Sequence, residues 1–134
     1  MVETTMKNLT TIAGEPMIRT LPRPADSNAS GDIFGGWVLS QMDIAGAIPA
    51  TERAGGRVAT VAIDAMVFHE PIFVGDVVSL YAEVTKVGRT SLTVKIETIA
   101  LRRTSRELVR VTEGIFVYVA LDKSGKPRPV PPGS

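Results

Sequence analysis

The chain has 134 residues, 44% of them hydrophobic, and a formal net charge of +1. That length suits one domain with a sizeable core, and charge spread so evenly argues against a nucleic-acid surface. The absence of cysteine excludes disulfides, thiolate nucleophiles and cysteine-ligated metals, and a single histidine, His69, excludes a multi-histidine metal site.

Residues 1–15 are polar and unpatterned and are expected to fray. No apolar stretch follows Lys7, so no signal peptide is visible. No window approaches the ~20 apolar residues of a membrane span, so no membrane association is expected and a cytoplasmic location is. Met17 to Leu21 reads as a short strand that Pro22 and Pro24 stop. Residues 22–34 form a loop rich in Pro, Asp, Ser, Asn and Gly. From Trp37 the pattern is helical and apolar nearly all round. Trp37, Ile44, Ala45 and Ile48 share one side, Val38 and Met42 flank it, and Leu39 and Ala47 bracket Asp43. Such a helix is expected to be buried, and Pro49 to end or kink it, with Thr51 to Gly56 as the exit.

Strands follow. Val58 to Phe68 places Ala59, Val61, Ile63, Ala65 and Val67 on one apolar face, opposite a semi-polar face with Thr60 and Asp64. Pro71 to Asp76 is a turn. In Val77 to Val87, Val78, Leu80, Ala82 and Val84 oppose Ser79, Tyr81, Glu83 and Thr85. Gly88-Arg89 reads as a hairpin turn into Thr90 to Leu101, with Leu92, Val94 and Ile96 inward and Thr93, Lys95 and Glu97 outward. Arg102-Arg103 reads as a solvated strand end. After a turn at Thr104-Ser105-Arg106, Leu108 to Ala120 shows Val109, Val111, Ile115, Val117 and Val119 on one face. The proline-rich residues 127–134 are expected to be extended or flexible. One domain spanning 1–134 results. It is of the α+β class: an antiparallel β-sheet wrapped around one long central helix, with a second subunit supplying the remaining cover.

Asp43 is the residue with the most chemistry. A carboxylate on an apolar helix is costly unless something stabilises it, and it lies about two turns in from the helix start, too far for capping. A general base or nucleophile fits, with desolvation favouring a raised pKa. Gly35-Gly36 at the helix start leaves free amides that can hold an oxyanion, although a plain loop-to-helix turn explains a Gly-Gly pair equally well. Asn28 by itself reads as a turn residue, and His69 as an exposed strand end. Lys86, Arg89 and the Gly88 amide can grip a phosphate or simply face solvent. Ser40 has no histidine nearby in sequence, so a serine hydrolase is not expected.

The run from Asp26 to Trp37 (Asp-Ser-Asn-Ala-Ser-Gly-Asp-Ile-Phe-Gly-Gly-Trp), followed by Ser40-Gln41-Met42-Asp43, closely resembles the YciA-type acyl-CoA thioesterases of the hotdog fold. Phe68 to Ile72, Val74-Gly75-Asp76 and Lys86 to Ser91 are similar to the same family, so the resemblance covers roughly Ile18 to Pro129. It implies a helix wrapped by an antiparallel sheet, paired into a homodimer with a continuous sheet, often three dimers to a hexamer. It also implies hydrolysis of acyl-CoA without a metal or other cofactor. On this resemblance Asp43 activates water or attacks the thioester, Asn28 faces the Asp43 of the partner subunit, and amides near Gly36 hold the thioester oxygen. Gly88, Arg89, Thr90 and Ser91 take part in binding the CoA nucleotide or its phosphates. Two other uses of the fold compete: a module that binds acyl-CoA without turnover, and a hydratase. No histidine precedes the helix, which counts against the hydratase.

Overall fold

The computed structural model describes residues 9–133. Strand β1 (Ile18–Thr20) precedes a 3-10 turn at Pro24–Asp26, helix α1 (Gly35–Ala54) and four long strands: β2 (Val58–Phe68), β3 (Val77–Val87), β4 (Ser91–Leu101) and β5 (Leu108–Ala120). The strands form one antiparallel sheet in the order β1-β3-β4-β5-β2, with α1 packed across one face. The core lies between them, where Val38, Met42, Ala45 and Ala50 meet Val78, Leu80, Ala82, Val94, Ile96, Phe116 and Tyr118. In β3 the alternation predicts the facing: Val78, Leu80 and Ala82 point to the helix.

Pro49 does not end α1. Proline has no N–H to give the carbonyl of Ala45, a loss of roughly 3 kcal/mol in an ordinary helix interior, yet the helix runs on to Ala54. Its last turn is anchored by tertiary contacts. Ala50 and Ala54 are fully buried, Arg128 Nη2 donates to the Ala54 carbonyl at 2.9 Å, and Arg53 Nη1 donates to the Pro131 carbonyl at 2.6 Å. Gly55, left-handed at φ 72°, closes the helix with its amide on the Thr51 and Glu52 carbonyls. Nor is the helix covered all round. The sheet takes the side bearing Val38, Met42 and Ala45, while Ile44 and Ile48 stay 51% and 43% exposed.

Three strands depart from simple alternation through bulges, β3 only near its end, where the pairing with β4 shifts between Val84 and Lys86. In β2, extra residues between Thr60 and Ala62 and between Ile63 and Ala65 break the pairing with β5. Thr60, Ile63 and Met66 therefore lie opposite Tyr118, Phe116 and Gly114, so the uniform apolar face 59-61-63-65-67 does not exist. In β5, a shift where Thr98 pairs with Thr112 and Ile99 with Arg110 leaves Val111 unpaired. Beyond it Thr112, Gly114, Phe116, Tyr118 and Ala120 are buried, and Ile115, Val117 and Val119 are on the other side. β2 is also the sheet edge, and its outward edge pairs with nothing among the described residues.

The outer face of the sheet is partly roofed. Ile12 packs on Tyr81 and Ile99, and Thr10 and Thr11 donate to the Glu97 carboxylate (2.7 Å from Thr10 Oγ1, 2.8 Å from the Thr11 amide, 3.0 Å from Thr11 Oγ1). Glu97 does point outward, as alternation requires, and is nonetheless fully buried. Arg102 is another departure: it is an ion-pair partner rather than a solvated strand end. Its Nη1 lies 2.5 Å from the buried Asp76 carboxylate, and its guanidinium stacks 4.5 Å from the Phe73 ring centroid. The tail is extended and held, with Leu121 bridged to Pro127 and the Val130 amide donating to the Arg89 carbonyl at 2.8 Å.

Candidate active site

α1 starts at Gly35 because Phe34 is extended and its carbonyl takes the amides of Trp37 and Val38. The Gly35 and Gly36 amides, in the first turn, have no acceptor within the helix. A Cβ at either glycine would meet nothing within 4 Å, so this end of the helix is open to a ligand. Two turns on, Asp43 is half-buried rather than sealed in the core.

Gly36, Leu39, Ser40, Asp43, Thr60, Ile63 and Phe116 line one pocket of about 330 Å³. Its walls are largely apolar, and Asp43 is the only charged residue in its lining. The two bulges help build this place, because they bring Ile63, which lies between them, onto the same face as Thr60. Thr60 Oγ1 donates to Asp43 Oδ1 at 2.5 Å. The Tyr118 hydroxyl donates to the Asp43 main-chain carbonyl at 2.8 Å and lies 3.1 Å from Oδ1. Burial, and then the Asp43 charge, push the Tyr118 hydroxyl well above the ordinary phenol range, so it remains a neutral donor. Oδ2 of Asp43 takes no donor from the described residues. A carboxylate fixed at one oxygen and open at the other, beside a run of unsatisfied amides, can accept a proton from water or attack an electrophilic carbon.

Gly36 and Asp43 thus share the pocket. Asn28 does not line it within one chain; its Oδ1 accepts the amides of Ser30 (2.9 Å) and Asp32 (3.1 Å). Lys86, Gly88, Arg89, Thr90 and Ser91 lie at the β3–β4 hairpin, outside the pocket lining, where the Gly88 amide donates to the Ser91 carbonyl at 2.8 Å. Lys86 and Arg89 are exposed there. Ser91 pairs with Val119, one rung beyond the Leu92–Tyr118 pair, so the hairpin is the end of the sheet nearest the Asp43 level. His69 sits 3.1 Å from Glu113 and takes no part in the pocket. Among the described residues no cluster of His, Cys, Asp and Glu could hold a metal ion, and no helix is long and apolar enough to cross a membrane.

Thr60 and Tyr118 went unassigned by sequence reasoning. The alternation that places Val117 and Val119 inward also turns Tyr118 outward, and only the bulge at Val111 reverses it. A lone Thr on an apolar strand and a lone Tyr near the end of another were the available signals.

The Thioesterase superfamily model matches residues 30–105. The chain is 52% identical over 132 residues to the acyl-CoA thioester hydrolase YciA of Salmonella typhimurium, an overlap covering 96% of this chain and 97% of that protein. The chain belongs to the YciA-type thioesterases. Among solved structures, it resembles the hexameric thioesterase y2039 of Yersinia pestis with a TM-score of 0.84 and 54% identity, over 90% of this chain and 98% of that one. It also resembles Cj0915 of Campylobacter jejuni, a hexameric hotdog-fold thioesterase, with a TM-score of 0.83 and 42% identity over 88% and 91% of the two chains. The long helix packed on a five-stranded antiparallel sheet is accordingly a hotdog fold. The superfamily match includes Gly36, Asp43, Thr60 and the hairpin at 86–91, and stops short of Asn28 and Tyr118.

Proposed function

We propose that this chain hydrolyses acyl-CoA thioesters to a free carboxylic acid and CoA, with Asp43 as the base or nucleophile. The observation that carries this is the Asp43 carboxylate, the one charge among the described residues lining the pocket, held at Oδ1 and open at Oδ2. In the general-base route Asp43 takes a proton from water, whose oxygen attacks the thioester carbon. The C–S bond then breaks, and the proton passes to the departing CoA sulfur. In the nucleophilic route the carboxylate attacks the thioester carbon, the C–S bond breaks to release CoA thiolate, and water opens the resulting anhydride to give the free acid and restore Asp43, its proton ending on the thiolate. Either way the carbonyl oxygen becomes an oxyanion, and the unsatisfied first-turn amide of Gly36 is its donor. Lys86, Gly88, Arg89, Thr90 and Ser91 are assigned to the CoA phosphates, two of them cationic and exposed.

The working unit is a homodimer joined along the free edge of β2. Val61, Ile63, Val67 and Phe68 on that strand and Ile44 and Ile48 on α1 are exposed apolar residues of one chain. A second copy would bury them and continue the sheet, and its loop would bring the partner's Asn28 to Asp43. Three such dimers would make a hexamer, as in y2039 and Cj0915.

The test is thiol release from short to long acyl-CoAs by the parent and by Asp43→Asn. Loss of one general base is expected to lower kcat about 10²–10⁴-fold. Full turnover by the variant would remove Asp43 from the reaction, and binding of acyl-CoA without thiol release by the parent would make the chain a sensor. Native mass spectrometry, in which Val61→Lys or Val67→Lys is expected to give monomer, tests the β2 interface.

A further inference from the structure

One turn beyond Asp43, the sheet approaches α1 more closely than any side chain on the helix would permit. The residue there is Gly46. A Cβ at this position would fall on the Tyr118 hydroxyl, well inside contact distance, and 2.7 Å from Cδ1 of Ile96. Tyr118 itself is fully buried, its ring stacked on Phe116 with centroids 6.5 Å apart. So the ring is held by packing, and its hydroxyl reaches the helix only because Gly46 leaves a slot.

That hydroxyl does more than cap a carbonyl. Its oxygen lies 2.8 Å from the Asp43 main-chain oxygen and 3.1 Å from Oδ1, so its one proton is shared between the backbone and the carboxylate. Thr60 donates to the same Oδ1. Both donors supplied by the sheet therefore meet one oxygen of Asp43, and Oδ2 is the one left unengaged.

We propose that Tyr118, admitted by Gly46, is a positioning residue for the hydrolysis. Its hydroxyl ties Oδ1 of Asp43 to the helix backbone, so that Oδ2 is the oxygen presented to water or to the thioester carbon. This rests on the assignment of Asp43 as base or nucleophile. A carboxylate on a flexible side chain gains reactivity when its orientation is fixed before substrate arrives, since displacements near 1 Å can cost about 10²-fold. The pocket holds no cation to do that. From α1 it receives Gly36, Leu39 and Ser40, from β2 Thr60 and Ile63, and from β5 Phe116. Among the described residues, Tyr118 is the only titratable group in hydrogen-bond contact with Asp43.

Tyr118→Phe keeps the ring and removes only the donor. In the full-length enzyme, with the acyl-CoA the parent hydrolyses best, kcat is expected to fall about 10- to 100-fold, the loss associated with one hydrogen bond to a charged acceptor. KM should stay within about twofold. Gly46→Ala is expected to lose comparable activity by displacing the hydroxyl. A Tyr118→Phe enzyme with the parent's kcat, one whose loss lies in KM rather than kcat, or a Gly46→Ala enzyme with the parent's kcat would each overturn the proposal. Asp43→Asn run alongside separates the two readings. If it is inactive while Tyr118→Phe behaves as the parent, only the tyrosine assignment falls; if it retains turnover, the Asp43 assignment falls first.

Discussion

Arg102→Met isolates the energetics of a buried ion pair far in sequence from the pocket. Asp76 is 2% exposed and accepts from Arg102 Nη1 at 2.5 Å and from the Phe73 amide at 2.9 Å. Arg102 Nη1 also donates to the Pro71 carbonyl at 2.9 Å, and its guanidinium covers the Phe73 ring. One side chain thus holds the 71–76 turn onto the end of β4. Methionine retains the apolar stem and removes the charge, leaving a carboxylate in a site it cannot leave without unfolding the turn. Removing one partner of a buried pair costs about 3–5 kcal/mol. At this chain length each kcal/mol moves the melting temperature by about 3–5 °C, so a drop of about 10–20 °C is expected. Differential scanning calorimetry reads it, at matched protein concentration because association also shifts Tm. Adding Asp76→Asn removes the stranded charge while its Oδ1 can still accept the Phe73 amide. The double variant should therefore recover at least half of the loss. A single variant within about 1 kcal/mol of the parent, or a double variant whose losses add, would refute the reasoning.

Two further outcomes are expected. Thr60→Val removes the 2.5 Å donor to Asp43 Oδ1; kcat should fall at least about 10-fold while Tm stays within a few degrees, since valine keeps the β-branched shape of threonine in the strand. Glu97 gives a pH signature. Burial by itself would raise its pKa, but the hydrogen bonds from Thr10 and Thr11 and the Lys95 charge outweigh this and hold it below the ordinary carboxylate value. The folded pKa is therefore the lower one. Its contribution to stability is complete above the unfolded value and is lost as pH falls through the folded one. Urea midpoints measured from about pH 7 to pH 3 should drop for the parent, and Glu97→Gln should flatten that acid-side slope.

Most of the framework was legible because its signals are local. Turn residues at 71–76, 88–89 and 104–106 delimit strands whose period of two is plain, and β3 faces as its alternation says as far as Val84. Asp43 stood out because an apolar helix offers a carboxylate nothing to do. What failed was whatever depended on counting past an irregularity. The bulges in β2 and at Val111 carry no glycine or proline to mark them, and each reverses the facing of everything beyond it. That hid Ile63, Phe116 and Tyr118, three residues around Asp43. Pro49 misled for the opposite reason: a strong local breaker was overridden by distant anchors at Arg128 and Pro131. Arg102 was misjudged, and Glu97, rightly placed outward, is buried without a sequence signal, because their partners, Asp76 and the 9–12 segment, are 26 or more residues away.

The C-terminal segment joins two places the sheet does not connect directly. Arg128 reaches the carbonyl at the end of α1, Pro131 receives Arg53, and between them Val130 binds the Arg89 carbonyl at the hairpin tip. The far end of the helix that carries Asp43 and the loop assigned to the CoA phosphates are thus tied by one short stretch of chain. Truncations made to aid crystallisation would cut that tie before touching any pocket residue, so a chain ending ahead of Arg128 is an enzyme with a different hairpin. Fusion partners belong beyond Ser134, joined through a linker that leaves 128–131 in place.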